Sequence, residues 1–235
     1  LCQISTISVA GMTAQNVPGE SFCESDFYIG QEIHNKYIYS KYMAEYEMLR
    51  AAVKDGLKIK IMRIGNLQGR IRDGEFQMNL HSNAFTRRFS SYIKLGAAPL
   101  AEYQGSVNFS PVDETAHNIV ALAATEDDTV VFHVYPPVEL KFADLFGAAE
   151  KLGYTVKALP DEDFSQLLQE RKQTVEGREQ LQGLITNEEP GNYFEIPVVN
   201  ELTDRYLQNL LEGWSDISEE YLSKYLSALS GMDLF

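Results

Sequence analysis

The chain has 235 residues, 44% hydrophobic and 23% charged, the balance of a soluble globular protein with room for one large domain or two small ones. A formal net charge of −14 argues against a nucleic-acid partner, whose binding rests on phosphate neutralisation, and no apolar run approaches the ~18 residues of a membrane span. Cys2 and Cys23 make no disulfide framework, and His34, His81, His117 and His133 show no metal-ligand spacing, so no metal is expected and a reducing, cytoplasmic setting is.

Leu1–Thr6 is a short apolar run that predicts a strand, with Cys2 inside it and Thr6 at its carboxyl end. A long polar loop from Gly11 to Gly30, holding Cys23, follows; loops of that length are usually functional or mobile. A helix is predicted from about Gln31 to Lys54, stopped by Asp55-Gly56, with Ile33, Tyr37, Met43, Ala44, Met48, Ala51 and Ala52 as its buried stripe. Leu57–Arg63 alternates apolar residues with Lys58 and Lys60, a strand with one wetter face. Asn79–Leu95 reads as a helix, and Asp113 as the N-cap of another over Glu114–Ala124. Val130–Tyr135 reads as a strand, Phe142–Leu152 as a helix ended by Gly153, and Thr155–Leu159 as a strand. Beyond Pro160 the chain is acidic and helical, over Glu162–Lys172, Leu202–Glu212 and Ser218–Leu229. The expected architecture is α/β: the C-terminal part of a doubly wound Rossmann-like sheet over residues 1–160, then a mostly helical substrate lobe over 161–235.

Tyr37 and Lys41 are four apart, so on a helix they share a face about 5–6 Å apart at Cβ. An ammonium held beside a phenol stabilises the phenolate, which suits the pair to proton donation. Thr6, at a strand end, adds a hydroxyl for the oxygen of a bound carbonyl. Ligands of open α/β sheets bind at the carboxyl ends of strands, where Thr6 and Gly65-Asn66 both fall. Taken bare, Tyr-x-x-x-Lys is more often a solvated helix face, and Gly-Asn after a strand is also plain turn chemistry. Tyr39, Tyr42 and Tyr46 compete as the phenol, but only Tyr37 has a lysine four residues on. His34 and His117 read as capping or surface residues.

Several stretches in order carry a resemblance: Ser5-Thr6-Ile7-Ser8-Val9-Ala10-Gly11, Tyr37 with Ser40-Lys41-Tyr42-Met43-Ala44-Glu45, Arg63-Ile64-Gly65-Asn66, Phe109-Ser110-Pro111-Val112-Asp113, and a tail from Trp214 through Tyr221 to Asp233-Leu234-Phe235. Together they resemble the extended short-chain dehydrogenase/reductases, and more narrowly the thioester reductase domain that ends some nonribosomal peptide synthetases. The resemblance implies Thr6, Tyr37 and Lys41 as catalytic residues, with Tyr37, Lys41, Gly65 and Asn66 beside the cofactor. It implies NADPH as reductant, a carrier protein bearing a phosphopantetheine arm and upstream synthetase domains as partners, and an acyl or peptidyl thioester released as aldehyde or alcohol.

The family's Gly-rich turn, which holds the dinucleotide pyrophosphate at a helix N-terminus, has no counterpart in this sequence. The chain is therefore expected to be the C-terminal part of a larger reductase, inactive and weak in NADPH binding by itself. Its exposed sheet edge is expected to be covered by a partner, such as a second copy. A basic island of Arg70, Arg72, Arg87, Arg88 and Lys94 against Asp73 and Glu75 is the candidate surface for an acidic carrier or a phosphate, or else a solvated helix face. Two other readings stay open: a nucleotide-sugar epimerase or dehydratase with the same Thr/Tyr/Lys set, and a non-catalytic fragment that only docks a carrier.

Overall fold

The computed structural model describes residues 1–14, 21–79, 83–185, 194–232 and 235. In chain order the main elements are β1 (Cys2–Thr6), α1 (Lys36–Asp55), β2 (Ile59–Ile64), α2 (Ala84–Leu95), β3 (Ala97–Pro99), α3 (Val112–Ala123) and β4 (Thr129–Val134). Then come α4 (Phe142–Lys151), β5 (Lys157–Leu159), α5 (Asp161–Arg171), α6 (Glu201–Asn209) and α7 (Glu219–Ser230). Most lie within a few residues of their predicted spans. α1 and α2 are the exceptions: α1 begins at Lys36 because Asn35 accepts hydrogen bonds from the Tyr37 and Ile38 amides, and α2 begins at Ala84 behind Asn83, which accepts from the Thr86 amide, residues 80–82 of its expected span lying outside the described residues. Gly56, left-handed at φ 66°, closes α1.

The chain gathers into two compact units, Leu1–Leu67 with Glu114–Pro137 and Glu189–Trp214, and Gln68–Asp113 with Val138–Glu188 and Ser215–Phe235. This division differs from a single cut at residue 160. Parallel pairing is the reason: each strand needs neighbours that are distant in sequence, so a unit draws on several segments.

The first unit is built on a parallel sheet in the order β1-β2-β4. Its β-branched and apolar runs favour extended chain, and β2 is buried from Ile59 to Arg63. The expected wetter face of β2 is therefore absent. Lys60 is buried because its ammonium caps the end of α3, donating to the carbonyls of Leu122 (3.0 Å), Ala123 (3.2 Å) and Thr125 and to Thr125 Oγ1. Met62, Leu122, Phe132, Val134 and Leu207 form one apolar cluster, and Val9, Ala10, Phe22 and Ile196 another. Cys2, expected inside a buried strand, is exposed, because β1 is paired on one side only among the described residues. α1 differs most from expectation: the apolar stripe is half-buried or exposed, and Glu45 is its one buried residue.

Of the long loop, residues 15–20 lie outside the described residues. The rest is tied down. Gln31 donates to the carbonyls of Phe27 (2.9 Å) and Val9 (3.3 Å) and accepts from the Ile29 amide (2.8 Å). Glu24, buried, accepts from the amide (2.8 Å) and hydroxyl (2.9 Å) of Thr203 at the start of α6.

The second unit has an aromatic core, with Phe89 stacked on Phe146 at 5.6 Å and Phe109 edge-on to Tyr225 at 5.2 Å. β3 and β5 pair in parallel within it. Ser218 caps α7 through the Tyr221 amide. Asp113, read as a cap, instead lies inside the first turn of α3 and accepts from the Ile71 amide at 2.9 Å. Gly74, left-handed at φ +75°, lets the turn before residue 76 approach α7: a Cβ there would meet the Tyr225 nitrogen at 2.4 Å.

Candidate active site

The three strands of the parallel sheet in the first unit end level. Thr6 is matched with Ile64 and Ile64 with Val134. Gly65, whose N–H donates to Val134 O at 3.4 Å, and exposed Asn66 leave from that same end. Thr6 and Gly65-Asn66 are thus neighbours, as their strand-end positions require.

The Asn35 cap, worth about 1 kcal/mol, sets Tyr37 in the first turn of α1, 59% exposed. Negative charge developing there sits at the favourable end of the helix dipole. Lys41 lies one turn on. Its ammonium donates to Ile4 O at 3.1 Å and stands 5.8 Å from the centre of the Tyr37 ring. One lysine therefore links the face of Tyr37 to β1, two residues before Thr6. Thr6 Oγ1 accepts from the Ser8 amide and donates to Ser8 Oγ, both at 3.2 Å, capping the 3-10 turn Ile7–Ala10. Ser8 is a second exposed hydroxyl at this end, which the sequence reading passed over.

The competing phenols are placed differently. Tyr42 stacks on Phe27 at 4.5 Å, and burial, then the charges of Tyr28 and Glu45, push its pKa up, making it a poorer acid. Tyr39 and Tyr46 are exposed, with Tyr46 tilted against Phe27 at 6.2 Å. His34 lies 3.4 Å from Glu32 and His117 2.8 Å from Glu212, both outside the Thr6–Tyr37–Lys41 set.

Beneath Lys41 lies a buried polar network. Arg63 reaches Glu45 with Nη2 at 2.8 Å and Nε at 3.0 Å from Oε2, and both side chains are essentially inaccessible. Ser5 Oγ donates to Glu45 Oε1. Arg63 Nη1 meets His133 Nε2 at 3.1 Å, and His133 Nδ1 meets Val199 O at 2.6 Å. Those partners fix a neutral imidazole with its proton on Nδ1. Burial first, with Arg63 adding, lowers the His133 pKa to about 4 against the opposing pull of the Val199 carbonyl and Asp26. Phe22 covers the group, 4.8 Å from the Arg63 guanidinium and stacked on His133 at 5.9 Å. Removing one partner of such a buried pair costs about 3–5 kcal/mol. The available sequence signals were Glu45, four residues after Lys41, and Arg63 at the end of an apolar strand.

The basic island belongs to the second unit, and its arginines are engaged locally. Arg70 pairs with Asp73 and Glu75, Arg72 with Asp73, Arg88 with Glu102, and Arg87 donates to Gln182 O. Among the described residues, no three His, Cys, Asp or Glu side chains gather as a metal site, and no helix is long and apolar enough to cross a membrane.

The parallel sheet with its helices makes a Rossmann-like α/β protein, similar to reductase domains of known structure. Residues 1–119 match the NAD-binding family described as Male sterility protein, and the chain belongs to that family. It is 34% identical to a thiolation-reductase di-domain from an archaeal non-ribosomal peptide synthetase, with a TM-score of 0.88 over 99% of this chain and 49% of that one. The reductase domain of the Aureusimine biosynthetic cluster is 26% identical, with a TM-score of 0.85 over 99% and 61%. A UDP-glucuronic acid 4-epimerase from Bacillus cereus, solved with NAD, shares the fold at 12% identity and a TM-score of 0.60, over 98% and 61%. Comparison with curated protein sequences finds no match. The chain thus spans about half to three-fifths of the length of these structures.

Proposed function

We propose that this chain is the catalytic-side part of an NAD(P)H-dependent thioester reductase, which releases a carrier-bound acyl or peptidyl thioester as an aldehyde or alcohol. The carrying observation is the Lys41 bond to Ile4 O, which joins the Tyr37 face to the strand end bearing Thr6. Similarity to two biosynthetic reductase domains supports the substrate class.

The donor set fits the nicotinamide-ribose end of the cofactor: a phenol and an ammonium for sugar hydroxyls, beside the backbone of Gly65-Asn66. A nicotinamide cofactor, when bound, supplies the hydride. Tyr37 gives its phenolic proton to the thioester oxygen as negative charge develops there, and the Thr6 hydroxyl donates to the same oxygen. Donors aimed at developing charge act mainly by transition-state stabilisation. Lys41 holds the resulting phenolate. Collapse of the hemithioacetal breaks the C–S bond, freeing the thiol of the carrier arm and an aldehyde. With no Gly-rich pyrophosphate turn in its sequence, the chain alone binds NADPH weakly.

The test uses this chain joined to the remaining length of its relatives. NADPH oxidation is followed with one acyl group on a carrier protein and with the same group on free coenzyme A, and conversion of a UDP-sugar in the presence of NAD is followed separately by chromatography. The carrier thioester turns over fastest, and Tyr37→Phe lowers that rate about 100-fold or more while carrier binding persists. Turnover of the UDP-sugar in place of the thioester refutes the reading.

A further inference from the structure

A helix normally docks on a sheet through an apolar stripe. In α1 the stripe is half-exposed and the buried residue is a carboxylate, Glu45. Its partners follow a line across the sheet. Ser5, Arg63 and His133 are matched residues on β1, β2 and β4, and the first two bond Glu45 while the third bonds Arg63. Ser5 immediately precedes Thr6, Arg63 lies two before Gly65, and Glu45 follows Lys41 by one helical turn. The side-on Arg63–Glu45 geometry fixes angle as well as distance.

We propose that Glu45 is a positioning residue, which sets the height and rotation of α1 on the strand ends and so the placement of Tyr37 and Lys41 against Thr6. The proposal rests on the reductase reading above. A nonpolar contact tolerates sliding, whereas a bidentate ion pair does not, and a 1 Å misplacement of reacting groups can cost about 100-fold in rate. Glu45 acts through α1 and touches neither substrate nor cofactor. Its loss therefore falls on kcat, with the KM for the thioester little changed.

The experiment compares Glu45→Gln, Ser5→Ala and Tyr37→Phe in the extended protein, measuring kcat, thioester KM and the melting temperature of each. Glu45→Gln keeps side-chain size and removes the charge that holds Arg63 side-on. The expected result is a kcat fall of about 10–100-fold with KM within about twofold, at a temperature where melting shows the variant folded. Should Glu45→Gln fail to fold, Ser5→Ala decides: it removes one hydrogen bond to Glu45, and a several-fold loss in kcat with unchanged KM supports the proposal. A folded Glu45→Gln, or failing that Ser5→Ala, with wild-type kcat overturns it. Tyr37→Phe separates the two layers. If it abolishes turnover while the Glu45 and Ser5 variants leave kcat intact, only the positioning role fails. If Tyr37→Phe itself retains turnover, the catalytic assignment fails.

Discussion

Acid should destabilise the first unit through His133. Its ring is buried, with Nδ1 bonded to Val199 O and Nε2 facing the Arg63 guanidinium, while Asp26 also acts on it and Glu45 lies on the far side of Arg63. Protonating Nε2 would set two N–H donors against each other. The folded pKa is about 4 against an ordinary 6.5, so between these values the unfolded chain binds a proton that the folded chain refuses. Stability rises with pH wherever the unfolded state binds more protons, so this contribution is complete above pH 6.5 and is lost as pH falls to 4. The difference in pKa amounts to about 3 kcal/mol. Urea unfolding read through Trp214, the chain's one tryptophan and a neighbour of the Met62–Phe132 cluster, should show a midpoint lower by roughly 1–2 M at pH 4.5 than at pH 7. His133→Asn keeps a donor for Val199 but cannot titrate, so its midpoint should vary much less over that interval. An equal fall in variant and wild type would refute the reasoning.

Gly74→Ala should destabilise the second unit by about 2 kcal/mol or more, because it combines a left-handed backbone with a Cβ placed 2.4 Å from the Tyr225 nitrogen; urea unfolding by far-ultraviolet circular dichroism checks it, and an unchanged midpoint would exclude the close approach. Lys60→Met should cost about 2 kcal/mol, since the carbonyls at the end of α3 lose a buried cationic donor. Hydrogen exchange should then quicken at the last turn of α3, and unaltered exchange with unaltered stability would show that the ammonium does not hold the helix end.

The strands were legible because short β-branched runs announce themselves: β1, β2 and β4 follow from Leu1–Thr6, Leu57–Arg63 and Val130–Tyr135 with small shifts. The Asp55-Gly56 stop of α1 is also visible in the sequence, and α7 lies within one residue of the expected Ser218–Leu229. Asp113 misled because its carboxylate serves the Ile71 amide, a partner 42 positions away that no local pattern indicates. The same limit hid the network under the candidate site. Ser5, Glu45, Arg63, His133 and Val199 come from five separate segments, and each looks locally like an ordinary polar residue. Lys60 was read as a wet-face lysine for the same reason, since its acceptors lie 62 to 65 residues further on. The four-residue interval between Tyr37 and Lys41 and the strand-end place of Thr6 are visible in the sequence, their candidate roles came with the resemblance, and the Lys41–Ile4 bond that links them required the fold.

The interleaving of the two units bears on how the protein is made. The first unit takes its sheet from the beginning of the chain, yet the Val199 carbonyl and Thr203 hydroxyl that hold His133 belong to its last segment, Glu189–Trp214. At about 5–20 residues per second, a ribosome delivers that segment roughly 10–40 s after β1. During this interval Arg63 and His133 are without their full set of partners, and the second unit's own middle segment emerges before the first unit can close. Cotranslational closure of the sheet unit therefore waits for Glu189–Trp214, and neither unit is one uninterrupted stretch of sequence.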